Sequence, residues 1–268
     1  MHNPIVSVLM SVYNESLHGI RRAIDSILAQ SFSDFEFIII IDNPNHAEAI
    51  ELISDYAQKD SRIKVKVHNQ NMGISYGCNE AILMAKAKYI ARQEPDDYSY
   101  PNRIQLQFEY MEANPNVDAL GATLQYVDVD RKIYFEISNA PAVGKEIKWR
   151  SPIAHPTLFA RREAFLNYGF YLEGEWEYEL WIRWYLKGVI MHNLKPCVYD
   201  YYQTFEDKKR KVKSYLFDAV KWRSKFSSEL EFEFKDYVKL YFDNFLLLFP
   251  RLILINLVYF RYRLKSKR

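Results

Sequence analysis

The chain has 268 residues, 49% of them hydrophobic and 16% aromatic, with 8 glycines, 2 cysteines and a formal net charge of +2. This composition supports a substantial core in one large domain, or one domain with an appendage, and excludes collagenous, low-complexity and disulfide-framed classes. The small net charge conceals a split, because residues 1–206 hold 20 Lys+Arg against 27 Asp+Glu while residues 207–268 hold 16 against 7.

The N-terminal apolar stretch "IVSVLMSVY" follows no basic residues, so it reads as a buried first strand bounded by Asn14 rather than as a signal peptide. "SLHGIRRAIDSILAQSF" places Ile20, Ala23, Ile24, Ile27 and Leu28 at helical spacing. "FEFIIIIDN" is a second buried strand, stopping at Asp42, with Pro44 and Asn45 marking the turn. The helix "AEAIELISDYAQKD", the alternating strand "IKVKVHN", the helix "GISYGCNEAILMAKA" and the strand "KYIARQE" follow. Strands alternating with helices predict a mostly parallel, Rossmann-like α/β sheet with helices on both faces. Cys78 and Cys197 lack metal-ligand spacing and read as free thiols in a reducing compartment, which points to the cytoplasm.

In such sheets ligands bind beyond the carboxyl ends of the strands. Those ends are "YNE" (13–15), "DN" (42–43) and "EPDD" (94–97), so three polar clusters converge on one edge. Glu94, Asp96 and Asp97 in one short turn repel one another unless water or a cation relieves them. The chain has no GxGxxG after its first strand and no GxxxxGK[ST], so a dinucleotide fingerprint and a P-loop are unsupported. A phosphate ligand here needs another counter-charge, which Mg²⁺ or Mn²⁺ held by carboxylates would supply.

The set "PIVSVLMSVYNE", "AIDSILAQSFSDFEFIIIID", "NMGISYGCNEAILMAKAKYIARQEPDD" and "SPIAHPTLFARREAF" resembles the family 2 glycosyltransferases with a GT-A fold. The resemblance covers residues 4–205. It implies an inverting enzyme that moves a sugar from a nucleotide-diphosphate sugar to a hydroxyl of a growing surface glycan, of the capsule, O-antigen or lipooligosaccharide kind. Carried over position by position, it places Tyr13 and Glu15 at the base and ribose. Asp42 matches the second acid of the family's "DDGS" turn, implying a uracil contact and hence a UDP-sugar, although Ile41 replaces the first acid and Asn43-Pro44 the Gly-Ser. Arg92 falls near the diphosphate, Asp96 near ribose or metal, and Asp97 on the Mn²⁺ or Mg²⁺ ion, with Glu94 replacing the usual first Asp. His155 belongs to the acceptor side. "WEYELW" matches the block that carries the catalytic base, which puts Glu177 at that position where the family usually has Asp. An α-linked donor would then give a β-linkage.

Each residue also has a structural reading. Tyr13 suits a core aromatic, Glu15 a helix start, Arg92 a surface ion pair and His155 an ordinary loop. Glu175, Glu177 and Glu179 suit one solvated helix start. The departures at Ile41, Glu94 and Glu177 keep open a catalytically inactive scaffold of the same fold.

The division expected is a catalytic domain over 1–206, with its nucleotide-sugar half over about 1–100 and its acceptor half over about 101–206, and a basic aromatic helical extension over 207–268. "FLLLFPRLILINLVYF" (245–260) is interrupted by Pro250, Arg251 and Asn256 and falls short of the about 20 apolar residues a spanning helix needs. Two readings stand for the extension: a peripheral contact with an anionic membrane surface, or a cap packed on the catalytic domain. Nucleic-acid binding through the basic extension is the less favoured alternative, because residues 1–206 are acidic.

Overall fold

The computed structural model describes residues 3–128, 133–137, 139, 141–174, 177–203, 205–254 and 256, with side chains for all of these except 133–135 and 205–210. The first half follows the expected order: β1 (Val6–Val12), α1 (Leu17–Leu28), β2 (Phe35–Ile41), α2 (Ala47–Lys59), β3 (Ile63–Val67), α3 (Ile74–Met84) and β4 (Tyr89–Gln93). The second half holds β5 (Tyr98–Ser99), α4 (Arg103–Ala113), β6 (Ala119–Val127), β7 (Ile133–Ile137), β8 (Phe159–Arg161), α5 (Arg162–Tyr168), α6 (Glu177–Leu186), β9 (Met191–Tyr202), α7 (Phe205–Lys225) and α8 (Phe234–Leu246).

One nine-stranded sheet runs in the order β3-β2-β1-β4-β8-β6-β9-β5, with β7 beside β6. β1 pairs in parallel with β2 and β4, and β2 with β3, so these four strands end on the same edge. β8 enters antiparallel between β4 and β6, and β9 returns parallel to β6. Every residue of β1 and β2 is buried, as continuous apolar runs covered on both faces should be. Side-chain alternation sorts them: Val6, Val8, Met10 and Val12 pack with Ile20, Ala23, Ile24 and Ile27 of α1. Leu9, Ile38 and Ile40 turn the other way, into a core with Cys78, Ala81 and Ile82 of α3 and Trp181 and Trp184 of α6. Ser16 caps α1, its Oγ accepting from Gly19 N at 3.2 Å.

The extension is helical and joined to the body. Asp236 of α8 accepts from Trp149 Nε1 at 2.8 Å, and Arg223 of α7 donates to Asp243 of α8 at 2.9 Å. Trp222 and Leu230 enter the same core as α6. Among the described residues no helix is long and apolar enough to cross a membrane. The closing "RYRLKSKR" lies outside the described residues.

Past the ends of β2 and β3, His68 is buried between two carboxylates, with Nδ1 2.6 Å from Asp42 Oδ1 and Nε2 2.6 Å from Glu80 Oε2. Burial works against its imidazolium, but the hydrogen bonds and charges of Asp42 and Glu80 outweigh it and hold the His68 pKa above its ordinary value. A histidine whose pKa is raised on folding contributes stability that is fully present below its unfolded pKa and is lost as pH rises through the folded one. The urea midpoint should therefore fall as pH rises above the ordinary histidine range. In His68→Gln that slope should flatten, and equal slopes in the two proteins would show that His68 is not the titrating group.

Candidate active site

A cleft of about 450 Å³ opens at the carboxyl edge of the sheet. That volume lies within the range of small-ligand sites. Tyr13 and Glu15 line it after β1, Glu94 and Asp96 after β4, and Ile74, Ser75 and Cys78 from α3. The second half of the catalytic body adds His155, Tyr171, Glu177, Tyr201 and Tyr202, and the extension adds Lys211 and Tyr215. Five expected site residues therefore share one cleft: Tyr13, Glu15, Asp96, His155 and Glu177.

The other three sit behind its wall. Arg92 is buried, donating from Nη2 to Glu94 Oε2 at 3.0 Å and from Nη1 to the carbonyls of Gln93 and Leu9. Asp42 is buried and has both oxygens occupied: Oδ1 accepts from Met72 N and Oδ2 from Gly73 N, each at 2.8 Å. It therefore fixes the turn that starts α3, where Gly73 takes φ 87°. Asp97 is fully buried, and its Oδ1 accepts from Tyr202 N at 2.8 Å, tying the turn to the end of β9. Burial and the neighbouring charge of Asp96 push the Asp97 carboxyl well above the usual range.

Two carboxyls in the turn are driven in opposite directions. Burial alone would raise Glu94, but the Arg92 charge and His155 hold it down at about 2. His155 stands between Glu94 and Tyr171, with Nδ1 3.5 Å from Glu94 Oε1 and Nε2 2.9 Å from the Tyr171 hydroxyl. Asp96 is pushed up to about 6 by burial and by the negative charges of Glu94 and Glu15, against a smaller opposing pull from Lys211 and Arg22. Asp96 is thus a cleft carboxylate short of positive charge, which is what a bound cation would relieve.

Among the described residues no group of three or more His, Cys, Asp or Glu side chains is arranged to hold a metal ion. The residues present do fit an ion held by one carboxylate, with a ligand's phosphates and water completing its shell, as Mg²⁺ and Mn²⁺ are often bound. Asp96 is the aspartate that lines the cleft, and Asp97 does not reach it.

α6 separates the glutamates. Glu177 starts the helix on the cleft side. Glu179, two residues on and so about 200° round the helix, is buried and paired with Arg183 at 3.0 Å. Glu175 lies outside the described residues.

Several residues of the cleft and its supports were not singled out in the sequence. Arg22 of α1 donates to the Asp96 carbonyl and stacks over the Tyr202 ring, 3.4 Å from its centroid. A Cβ at Gly19 would stand 3.1 Å from the Asp96 Cβ, so the glycine lets the acidic turn approach α1 closely. Lys211 and Tyr215 come from the extension, whose basic and aromatic residues pointed only to bulk character. Tyr171 carries no local pattern at all.

The family described as "Glycosyl transferase family 2" matches residues 7–169. An uncharacterized glycosyltransferase of Methanocaldococcus jannaschii is 32% identical over 237 residues, covering 84% of this chain and 82% of that protein. The O-antigen biosynthesis glycosyltransferase WbnJ of Escherichia coli is 29% identical over 204 residues, covering 74% and 79%. Among solved structures, S. aureus TarS 1–349 in complex with UDP-GlcNAc superposes with a TM-score of 0.63 at 16% identity, covering 84% of this chain and 72% of that one. The mannosyltransferase PcManGT of Pyrobaculum calidifontis, in complex with GDP-Man and Mn²⁺, gives a TM-score of 0.64 at 13% identity, covering 92% and 70%. The fold is that of the GT-A glycosyltransferases, and with more than half of its length matched the chain belongs to glycosyl transferase family 2.

Proposed function

We propose that this glycosyltransferase moves a sugar from a UDP-sugar to a hydroxyl of a surface glycan with inversion, forming a β-linkage. The observation that carries the reading is that Asp96, short of positive charge, and Glu177, at a helix start, line the same cleft from the donor and acceptor halves. The acceptor hydroxyl gives its proton to the Glu177 carboxylate as its oxygen bonds to the anomeric carbon. The bond from that carbon to the diphosphate breaks, and its electron pair leaves with UDP. A divalent ion, Mn²⁺ or Mg²⁺, would supply positive charge to the departing diphosphate. Asp96 takes the metal-holding role in this reading, because Asp97 is turned into the interior. Glu94, kept ionised by Arg92, orients His155 beside the cleft.

The uracil assignment is supported by the UDP and UDP-GlcNAc complexes of TarS, while PcManGT carries GDP-Man on the same fold. The surface-glycan acceptor is supported by the name of WbnJ. Calorimetry with Mn²⁺ present should show UDP binding at least about tenfold tighter than GDP, a gap of about 1.4 kcal/mol. Equal affinities would remove the uracil assignment.

Asp96→Asn should lose metal-dependent UDP binding and gain nothing from added Mn²⁺. Asp97→Asn should keep that binding, because Asp97 is buried with its Oδ1 accepting from Tyr202 N, a contact that an amide oxygen can also make. The reverse pattern would return the metal role to Asp97.

Glu177→Gln keeps the shape and removes the basicity. UDP-sugar binding should persist while transfer falls about 10²–10⁴-fold, the usual worth of a positioned base. Glu179→Gln should instead lower the melting temperature, since it breaks the buried pair with Arg183. Transfer near the unsubstituted rate in Glu177→Gln would move the base elsewhere.

A further inference from the structure

Helix α8 is built inside out. On one side Asp236 and Asp243 are buried and bound, Asp236 to Trp149 and Lys148, Asp243 to Arg223 and Lys239. Leu240, on the same side, is also buried. On the opposite side Phe234 is 85% exposed, Tyr241 70% and Leu248, just past the helix, 76%, with Val238 and Phe245 exposed between them. The spacing of these five, alternately four and three residues, makes one stripe along the helix axis. A capping box, with Glu233 N donating to Asp236 at 2.9 Å, starts the helix at the base of the stripe. A continuous apolar stripe on the solvent side of a helix that is pinned by its charged side marks a contact surface rather than a stray exposed residue.

We propose that α8 docks in the plane of an anionic membrane surface, with this stripe at the headgroup–acyl boundary. Thirteen residues make a helix about 20 Å long, too short to span a bilayer but suited to lying on one. The stripe is rich in Phe and Tyr, whose rings suit the membrane interface. Charge complementarity selects the partner. Asp236 and Asp243 are turned inward and paired, while residues 207–268 carry 16 Lys+Arg against 7 Asp+Glu. That surplus attracts anionic lipid. A second copy seated on the same stripe would bring two such basic segments together, and like charges oppose that pairing.

The test is flotation of the full chain with phosphatidylcholine vesicles containing about 30% phosphatidylglycerol at about 50 mM salt, beside vesicles of phosphatidylcholine alone. The chain should float with the anionic vesicles and only weakly with the neutral ones. Replacing Phe234, Tyr241 and Phe245 together by Ser should cut the bound fraction about tenfold. Because these side chains face solvent, the melting temperature and UDP binding of that variant should not change, so a failure of the donor reading would leave this result intact. The proposal is overturned if the unaltered chain stays in solution with anionic vesicles. It is equally overturned if the chain elutes as a dimer that the triple substitution converts to a monomer.

Discussion

A buried cation at the end of β4 sets the geometry and the charge of the cleft. Arg92 lies between the carbonyls of Leu9 and Gln93 and the carboxylate of Glu94, and its own carbonyl accepts from Arg103 at 2.6 Å. Both terminal nitrogens of this buried guanidinium are bonded, its Nε has no partner among the described residues, and breaking a buried ion pair of this kind typically costs about 3–5 kcal/mol. Glu94 is therefore fixed and ionised for structural reasons. The consequence falls on Asp96, which must share a small space with that charge and holds its proton more tightly. The shortage of positive charge at Asp96 thus begins with a pair whose cation, Arg92, is buried behind the cleft.

The first half of the fold was legible because its signals are local. Continuous apolar runs gave β1, β2 and β4, helical spacing gave α1 to α3, and their alternation placed the strand ends on one edge. That was enough to bring Tyr13, Glu15 and Asp96 to one edge, whereas His155 and Glu177 were placed beside them only by the resemblance of their motifs to the family. The direction of individual side chains was not legible. Asp96 and Asp97 are adjacent in sequence, and the turn that carries them is held by distant partners, Arg22, 74 residues away, on the Asp96 carbonyl and Tyr202, 105 residues away, on the Asp97 carboxyl. Asp42 and Arg92 stand at the right edge but are consumed by the backbone of α3's first turn and by Glu94. Glu177 and Glu179 differ by a helical rotation that the sequence does contain, since a two-residue step crosses the helix, and Arg183 four residues after Glu179 is its readable partner.

In the described part of the extension, α7 and α8 serve different surfaces. α7 turns Lys211 and Tyr215 into the cleft, where Lys211 is, among the described residues, the lysine of a lining that also holds Glu15, Glu94, Asp96 and Glu177. α8 turns its apolar stripe outward. The two readings of this segment, packed cap and surface anchor, are therefore compatible, because different residues serve each. Arg223 of α7 and Asp243 of α8 join them through a buried pair, both side chains under 10% exposed.

That coupling gives the membrane reading a chemical consequence. A helix that lies on a bilayer and is pinned to the helix supplying Lys211 fixes the orientation of the cleft relative to the lipid surface. A glycan acceptor carried on a lipid would then meet the cleft within a thin layer rather than from bulk solution. Confinement of both partners raises the effective concentration of the second binding event without any new contact at the site. Weak intrinsic acceptor affinity suffices under those conditions. The acidic, aromatic-lined cleft can then commit its strongest interactions to the donor, where charge develops on the departing diphosphate.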